Sequence, residues 1–317
     1  MTLYFSVVIC TYNRADWLAV ALESVCTQTI DVAAYEVIVV DNNSTDNTPA
    51  VTDSFCQRYL NVRYLFESQP GNSHARNTGW KKANARYIAF IDDDCKVPSD
   101  WLMNAKTVIT ELSPGVFGGP YFPFFNTPKP VWFKDEYGTY QPYDCAKFLD
   151  TPDKFAAGNL FVQRQALAHI GGFNPQLGIH GTQRGYGEEN ALLLKIHETQ
   201  PDTVFYYDPA LFVYHLVRQE TMSVAWMLRQ RIDRGRSVYR VYNQDEPLKN
   251  KIMLVLLMAR KLIQIMFRLT LGLLFRARKT YPYPQQYIYE KTVYHFFLLG
   301  WLYEQYQRNT NDEDKTV

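Results

Sequence analysis

Three consecutive carboxylates, Asp92, Asp93 and Asp94, follow the apolar run at residues 87–91. Three like charges at the end of a buried strand repel one another, and burying them without a cation is costly. Hard divalent cations prefer oxygen ligands and also bind phosphate oxygens. The segment therefore predicts a Mg²⁺ or Mn²⁺ site for a phosphorylated ligand; the alternative is a solvated acidic turn.

A further acid, Asp41, ends another apolar run, at residues 37–41. A carboxylate there can accept hydrogen bonds from a ribose or from the edge of a base. The alternative is an ordinary turn that the Asp41 side chain closes, with Asn42, Asn43 and Ser44 as turn residues. Whether Asp41 lies close to Asp92, Asp93 and Asp94 depends on how the two apolar runs that precede them are arranged in the fold.

Short apolar runs alternate with segments of helical periodicity along the first part of the chain. The runs lie at residues 5–10, 37–41, 62–66 and 87–91. This alternation is typical of an α/β fold with a mostly parallel sheet flanked by helices. Ligands of such sheets bind beyond the carboxyl ends of the strands, where these acids fall. Further helices are predicted at 99–112, with Ser99 as the cap, and at 188–198.

The composition is that of a globular protein, with 47% hydrophobic and 21% charged residues. At 317 residues, the chain has about twice the usual length of one domain. We predict an α/β domain over 1–217 and a helical region over 218–317. The net charge of +1 hides an asymmetry, because 218–317 has 17 Lys/Arg against 9 Asp/Glu. Such an excess is compatible with an anionic partner such as membrane or nucleic acid, and a solvated basic face is the commoner explanation.

These segments together resemble the family 2 glycosyltransferases, which have the GT-A fold and use nucleotide-diphospho-sugar donors. The matching segments, within residues 5 to about 240, are SVVICTYNRADWLAVALESVCTQT, EVIVVDNNSTDNT, GNSHARNTGWKKANARYIAFIDDDCKVPSDWL, AAGNLFVQRQALAHIGGFNPQLG and GYGEENALLLKI. The resemblance implies a GT-A sheet, and the helical pattern after residue 217 adds a C-terminal extension to it. The resemblance also implies inverting, metal-dependent transfer of a sugar from a nucleotide diphosphate, UDP by preference, to an acceptor hydroxyl.

The resemblance assigns a donor site residue by residue. Thr11, Tyr12 and Arg14 match the turn that receives the nucleotide, and Asp41 matches the acid that recognises uracil or ribose. Arg76 matches the ARN segment beside the donor. A structural role for Arg76 at the start of its helix is the alternative.

The same resemblance assigns the metal site. Asp92 and Asp94 match the DxD pair, in which Asp94 would hold the metal and Asp92 would lie near the ribose. Asp93 occupies the variable middle position. His215 matches a position near the metal and the diphosphate, where an imidazole could ligate the cation; a structural histidine is the alternative.

The family places its catalytic base at the start of a helix, commonly as the second residue of Glu-Asp. Alignment on Gly187 puts Glu189 in that position, with Glu188 as the competitor. The base would deprotonate the acceptor hydroxyl while the metal stabilises the departing nucleoside diphosphate. The alternative is a pair of acids that stabilise a helix N-terminus. A Glu in place of the usual Asp departs from the family pattern.

A sugar nucleotidyltransferase and a non-catalytic protein of the same fold are the alternatives to this function. A sugar nucleotidyltransferase normally opens with a Gly-rich phosphate loop, and residues 5–16 contain no Gly. The same lack argues against a dinucleotide-binding oxidoreductase. A non-catalytic sugar-binding protein of the same fold is disfavoured because Asp41, Asp92, Asp94 and Glu189 are all retained.

Residues 252–275 read as one apolar helix with a narrow polar stripe. The residues of that stripe are Arg260, Lys261, Gln264 and Arg268, extended by Arg278. A basic stripe beside a wide apolar face suits a helix in the headgroup plane of an anionic membrane. We therefore expect a sugar, a lipid-linked molecule or another hydroxyl compound as acceptor, and no nucleic acid. The alternative is a helix buried within an oligomer.

The cysteines and the first residues indicate the compartment. The five cysteines are odd in number and form no CxxC pair, which favours reducing conditions. The first apolar run reads as a strand rather than a signal peptide. We expect a cytoplasmic protein, attached peripherally to the inner face of the cell membrane.

Overall fold

The computed structural model describes residues 2–152, 155, 157–178, 185–242 and 250–314. The chain divides into two compact units. The first comprises Met1–Phe124, Asp135–Gln183 and Glu188–Leu216, and the second comprises Phe125–Lys134, Arg184–Gly187 and Val217–Val317. The predicted domains are each continuous in sequence, whereas the second unit also includes two short segments that precede residue 217.

A large mixed sheet forms the centre of the first unit. Its strands are β1 (Phe5–Thr11), β2 (Tyr35–Asp41), β3 (Val62–Phe66), β4 (Tyr87–Asp92), β6 (Val116–Gly118), β8 (Lys147–Leu149), β9 (Leu160–Gln163) and β10 (Phe205–Tyr207). Within the described ranges their order is β3-β2-β1-β4-β9-β6-β10-β8. The β1–β2, β1–β4, β2–β3 and β6–β10 pairs are parallel, and β9 runs antiparallel to β4 and β6. A smaller sheet joins β5 (Cys95–Lys96), β11 (Val213–Leu216) and β7 (Tyr121–Phe124) in that order.

Helices cover both faces of the large sheet. They are α1 (Ala15–Cys26), α2 (Thr48–Arg58), α3 (Asn72–Lys81), α4 (Trp101–Glu111), α5 (Arg164–Ile170) and α6 (Glu188–Thr199). Successive side chains of a strand point to opposite faces. Val7 accordingly packs in one apolar cluster with Leu18 of α1, and Val8 packs in a second cluster with Ala75 of α3. The predicted α/β architecture is confirmed.

The predicted start of the helix after β5 is wrong by two residues. Helix α4 begins at Trp101 with Asp100 at the N-cap, not with Ser99. The Ser99 carbonyl accepts hydrogen bonds from the Thr29 amide and hydroxyl at 2.8 and 3.1 Å. Ser99 therefore lies in the loop before α4, and these two bonds hold it there.

The second unit is built on α7 (Val224–Tyr242), α8 (Lys251–Phe267) and α9 (Pro284–Asp314). Helices α7 and α9 pack closely through two glycines. A Cβ on Gly235 would lie 2.0 Å from the Phe297 carbonyl oxygen, and one on Gly300 would lie 2.0 Å from that of Ile232. Glycine is therefore required at both crossings.

The predicted basic stripe on α8 is wrong in its placement. Lys261, Gln264 and Arg268 are half-buried, and the Arg268 guanidinium donates to His295 Nε2 of α9 at 3.3 Å. Arg260 is exposed, and Arg278 lies in a turn beyond the helical residues. Three residues of the predicted stripe are therefore partly covered, and Arg268 contacts α9. Among the described helices, none combines the length and the apolar character that crossing a bilayer requires.

Candidate active site

The predicted acids lie at one edge of the sheet, on neighbouring strands. Asp92 ends β4 in register with Cys10 of β1, and Asp41 ends β2 in register with Thr11. The Asp92 side chain is 35% exposed, whereas Asp94 is buried. The carboxyl ends of three adjacent parallel strands thus form the edge where such sheets bind ligands.

Four side chains near this edge form a cluster of potential metal ligands. Ligand atoms of Asp92, Asp94, Cys95 and His215 all lie within 4.8 Å of one another. The smaller sheet places two of them, because His215 on β11 pairs with Cys95 on β5. His215 Nε2 lies 3.4 Å from Asp94 Oδ1. Carboxylate, imidazole and thiol groups at this spacing have the chemistry to hold a divalent cation.

Sequence reasoning missed Cys95, although it follows the acids directly in the chain. Cys95 is 1% exposed, and burial raises the pKa of its thiol well above the usual value. Nothing in the local sequence shows that it pairs with a histidine 120 residues away. The only sequence feature that could have indicated Cys95 as a potential ligand is its position next to Asp94.

Arg14 and Asp93 form an ion pair beside these ligands. Arg14 Nη1 donates to Asp93 Oδ1 at 2.8 Å and lies 3.4 Å from Asp94 Oδ2. Burial raises the pKa of Asp93 to about 6, and the Arg14 charge opposes that rise. The pair offsets part of the repulsion among the buried acids. Of the other residues in the predicted nucleotide turn, Tyr12 is 48% exposed and Thr11 is buried.

The Asp41 carboxylate is 1% exposed and both its oxygens accept hydrogen bonds. The Tyr64 hydroxyl donates to Oδ2 at 2.8 Å, and the Ser44 amide donates to Oδ1 at 2.8 Å. The second bond is the turn closure considered above as the alternative. The contact of Asp41 with a nucleotide stays a prediction.

Arg76 is a buried link between three elements of the first unit. Its Nη1 donates to Glu188 Oε1 of α6 at 2.9 Å, and its Nη2 donates to Asp92 Oδ1 at 3.2 Å. The guanidinium also lies 5.4 Å from the centre of the Phe173 ring. Arg76 is 3% exposed. It therefore joins Asp92 at the strand edge to the start of α6. Contact of Arg76 with the donor stays a prediction.

The two adjacent acids at the start of α6 differ in environment. Glu188 is 5% exposed and paired with Arg76, whereas Glu189 is partly exposed. Burial, and then the neighbouring Glu188 carboxylate, raise the pKa of Glu189 to about 8, against the opposing charge of Arg76. A side chain that exchanges a proton near neutral pH has the property of a general base.

The Arg76–Glu188 pair gives a testable prediction about stability. Arg76→Met leaves the buried Glu188 carboxylate without its cation, so we expect the free energy of unfolding to fall by about 3–5 kcal/mol. Replacing both residues, by Arg76→Met with Glu188→Met, should cost clearly less because no buried charge is then left unpaired. Denaturant unfolding of the three variants measures this. A double variant at least as unstable as Arg76→Met would contradict the pairing.

The chain belongs to glycosyl transferase family 2, whose sequence profile matches residues 6–171. Glycosyltransferase AglE of Haloferax volcanii is 30% identical over 186 residues. That match covers 57% of this chain and 60% of AglE, so the chain matches less than two thirds of this curated relative. The predicted family is confirmed.

Two solved structures resemble the whole fold. One is S. aureus TarS 1-349 in complex with UDP-GlcNAc, with a TM-score of 0.54, 17% identity, and coverage of 95% of this chain and 92% of TarS. The other is the mannosyltransferase PcManGT of Pyrobaculum calidifontis in complex with GDP-Man and Mn²⁺, with a TM-score of 0.60, 18% identity, and coverage of 94% and 88%. At this identity the likeness concerns the fold, and the GT-A architecture with a helical C-terminal extension is confirmed.

Proposed function

We propose that the protein is an inverting glycosyltransferase that moves a sugar from a nucleotide diphosphate donor to an acceptor hydroxyl. Family membership supports the reaction class. The observation that carries the proposal is the Arg76 bridge. It joins Asp92, one of a cluster of potential metal ligands, to Glu188, whose neighbour Glu189 has a pKa raised to about 8. The ligand cluster and Glu189 are the two groups that such a transfer needs, one for the leaving diphosphate and one for the acceptor.

The residues present fit a divalent cation. Asp92 and Asp94 supply oxygen ligands, His215 supplies an imidazole and Cys95 a thiol. Gly158 leaves space beside them, since a Cβ there would lie 2.7 Å from Asp92 Oδ2 and 3.4 Å from Cys95 Sγ. Mg²⁺ or Mn²⁺, when bound, would neutralise charge on the departing nucleoside diphosphate. The Mn²⁺ in the PcManGT complex supports the proposal that this protein also binds a divalent cation. Binding measurements with each ion would distinguish Mg²⁺ from Mn²⁺.

Gly158 provides a direct test of that space. Gly158→Ala should weaken Mn²⁺ binding at least tenfold, because the new methyl would crowd the Asp92 carboxylate. Asp202→Ala is the control, since Asp202 is an exposed acid in the turn before β10. Titration followed by the paramagnetic effect of Mn²⁺ on water relaxation measures the affinity. Equal affinity in the two variants would contradict the placement of the ion beside Gly158.

Glu189 is the base in this proposal, and Glu188 positions it. Glu188 is held by Arg76 and is nearly inaccessible, so it is poorly placed to meet an acceptor. Glu189 is partly exposed and, as a carboxylate, would take the proton from the acceptor hydroxyl as the sugar is transferred. Its raised pKa makes it a stronger base than an ordinary glutamate.

The donor would lie against the ends of β1, β2 and β4. Thr11, Tyr12 and Asp41 are proposed to hold the nucleoside, with Asp92 near the ribose. Arg14, Arg76 and Asp93 are proposed to act mainly through their ion pairs, which fix the carboxylates that face the donor. TarS and PcManGT were solved with a uridine and a guanosine nucleotide sugar, so UDP is the first donor class to test and GDP the second.

Calorimetry with nucleoside diphosphates tests the donor site separately from turnover. We expect UDP or GDP to bind in the presence of Mn²⁺ and to lose at least tenfold in affinity when EDTA replaces the metal. Binding that is unchanged by EDTA would contradict a metal-held diphosphate.

The proposal includes a reducing compartment and peripheral attachment to the inner face of the cell membrane. The five cysteines are unpaired, as expected in reducing conditions. The acceptor would be a sugar, a lipid-linked molecule or another compound with a free hydroxyl.

A further inference from the structure

Helix α8 and the residues that follow it expose a continuous set of large apolar side chains, here called the apolar face. Its six most exposed members are Ile252, Leu256, Ile263, Met266, Leu274 and Phe275. Each is between 64% and 79% exposed. Contiguous exposure of this kind marks a surface that binds a partner or a membrane.

The apolar face is the outer side of a helix whose inner side is already covered. Leu254 and Ile265 are buried where α8 packs against α9. At 3.6 residues per turn, Ile252, Leu256 and Ile263 fall within about 40° of arc on the opposite side. The second unit therefore buries one side of α8. Among the described residues, the opposite side remains exposed.

The charged residues within 251–279 are all positive. Residues 251–279 contain seven Lys/Arg and no Asp or Glu. Arg260 is exposed at the edge of the face, and Arg278 and Lys279 are exposed just beyond its end. A second copy of the same face would bring these cations together with no acid to pair them, whereas an anionic lipid surface complements them.

We infer that the apolar face inserts among the acyl chains of an anionic membrane, with Arg260, Arg278 and Lys279 at the headgroups. This inference deepens the proposed peripheral attachment and does not depend on the sugar-transfer chemistry. The inward placement of Lys261 and Arg268 makes apolar burial, rather than the basic stripe, the main source of binding. Apolar burial is not screened by salt, so binding should persist where a purely electrostatic contact is lost.

Flotation of the full chain with vesicles tests this. Vesicles of phosphatidylcholine with about 30% phosphatidylglycerol should bind the protein at least tenfold better than pure phosphatidylcholine. Raising NaCl from about 0.1 M to about 0.5 M should lower the partition coefficient only severalfold. Leu256→Glu with Ile263→Glu should lower it at least tenfold. Leu60→Glu, at a 99% exposed leucine of the first unit, is the matched control and should float like the native chain.

The inference is overturned if the native chain does not float with anionic vesicles, or if the double variant floats as well as the native chain. A stable native dimer that the double variant dissociates, without vesicle binding, would identify a second copy as the occupant and also overturn it. Thermal unfolding checks that both variants are folded. Metal-dependent binding of nucleoside diphosphate should be the same in all three proteins, so failure here stays distinct from failure of the proposed transfer.

Discussion

Glu189→Gln is expected to lower sugar transfer by about two to four orders of magnitude, the usual contribution of general base catalysis. Donor affinity should stay within a few fold of the native value, because the amide keeps the shape of the side chain and the proposed donor site lies at the strand ends. The measurement pairs initial transfer rates with calorimetric binding of the nucleoside diphosphate. A variant that loses binding and rate together would indicate a structural role instead.

Dependence on pH gives a second readout for the same residue. Burial and Glu188 raise the pKa of Glu189 to about 8, and only the carboxylate form accepts a proton. Transfer by the native protein should therefore rise as the pH increases through about 8 and level off above it. Glu189→Gln should lack this rise in its residual rate.

Glu188→Gln is the matched comparison, since it changes the adjacent acid in the same way. We expect it to weaken the contact with Arg76 and to lower stability more than it lowers transfer per folded molecule. Glu189→Asp should keep more activity than Glu189→Gln, because the family commonly uses Asp here. If Glu188→Gln is inactive and Glu189→Gln is active, the base is assigned to the wrong residue.

Asp94→Ala is expected to bring turnover below about one hundredth of the native rate and to remove the metal dependence of nucleoside diphosphate binding. Asp94 is buried with one oxygen near His215 and the other near Arg14, so no neighbouring acid can easily replace it. Rates are compared with Mn²⁺, with Mg²⁺ and with excess chelator.

The control for Asp94→Ala is Asp202→Ala, at an exposed acid in the turn before β10. It removes the same charge and should leave rate and binding unchanged. Thermal unfolding shows whether Asp94→Ala remains folded. Full activity of folded Asp94→Ala, or of the native protein in excess chelator, would contradict the metal site.

The strands and the edge where the acids lie could be predicted because each apolar run is short and is followed by polar residues. The pattern that gave β1, β2, β3 and β4 depends only on neighbours in sequence. The N-cap of α4 could not be predicted from neighbours in sequence. The Ser99 carbonyl accepts a hydrogen bond from Thr29, which lies 70 positions earlier in the chain.

The contacts of Arg76 and the place of Cys95 among the potential metal ligands depend on distant parts of the chain. Arg76 meets Glu188, 112 positions away, and the sequence offered only a family position for each. The orientation of α8 was missed for a related reason. Helical periodicity shows which residues share a side of α8, but only the partner helix decides which side is buried.

Release of nucleoside diphosphate from a panel of UDP-, GDP- and dTDP-sugars by the purified full chain, with Mn²⁺ or Mg²⁺, tests the proposed transfer directly. We expect release from at least one donor, lost in excess chelator and in Asp94→Ala, and strongly reduced in Glu189→Gln when an acceptor is supplied. No release from any donor, or release that is indifferent to chelator and to both substitutions, would contradict the proposed transfer.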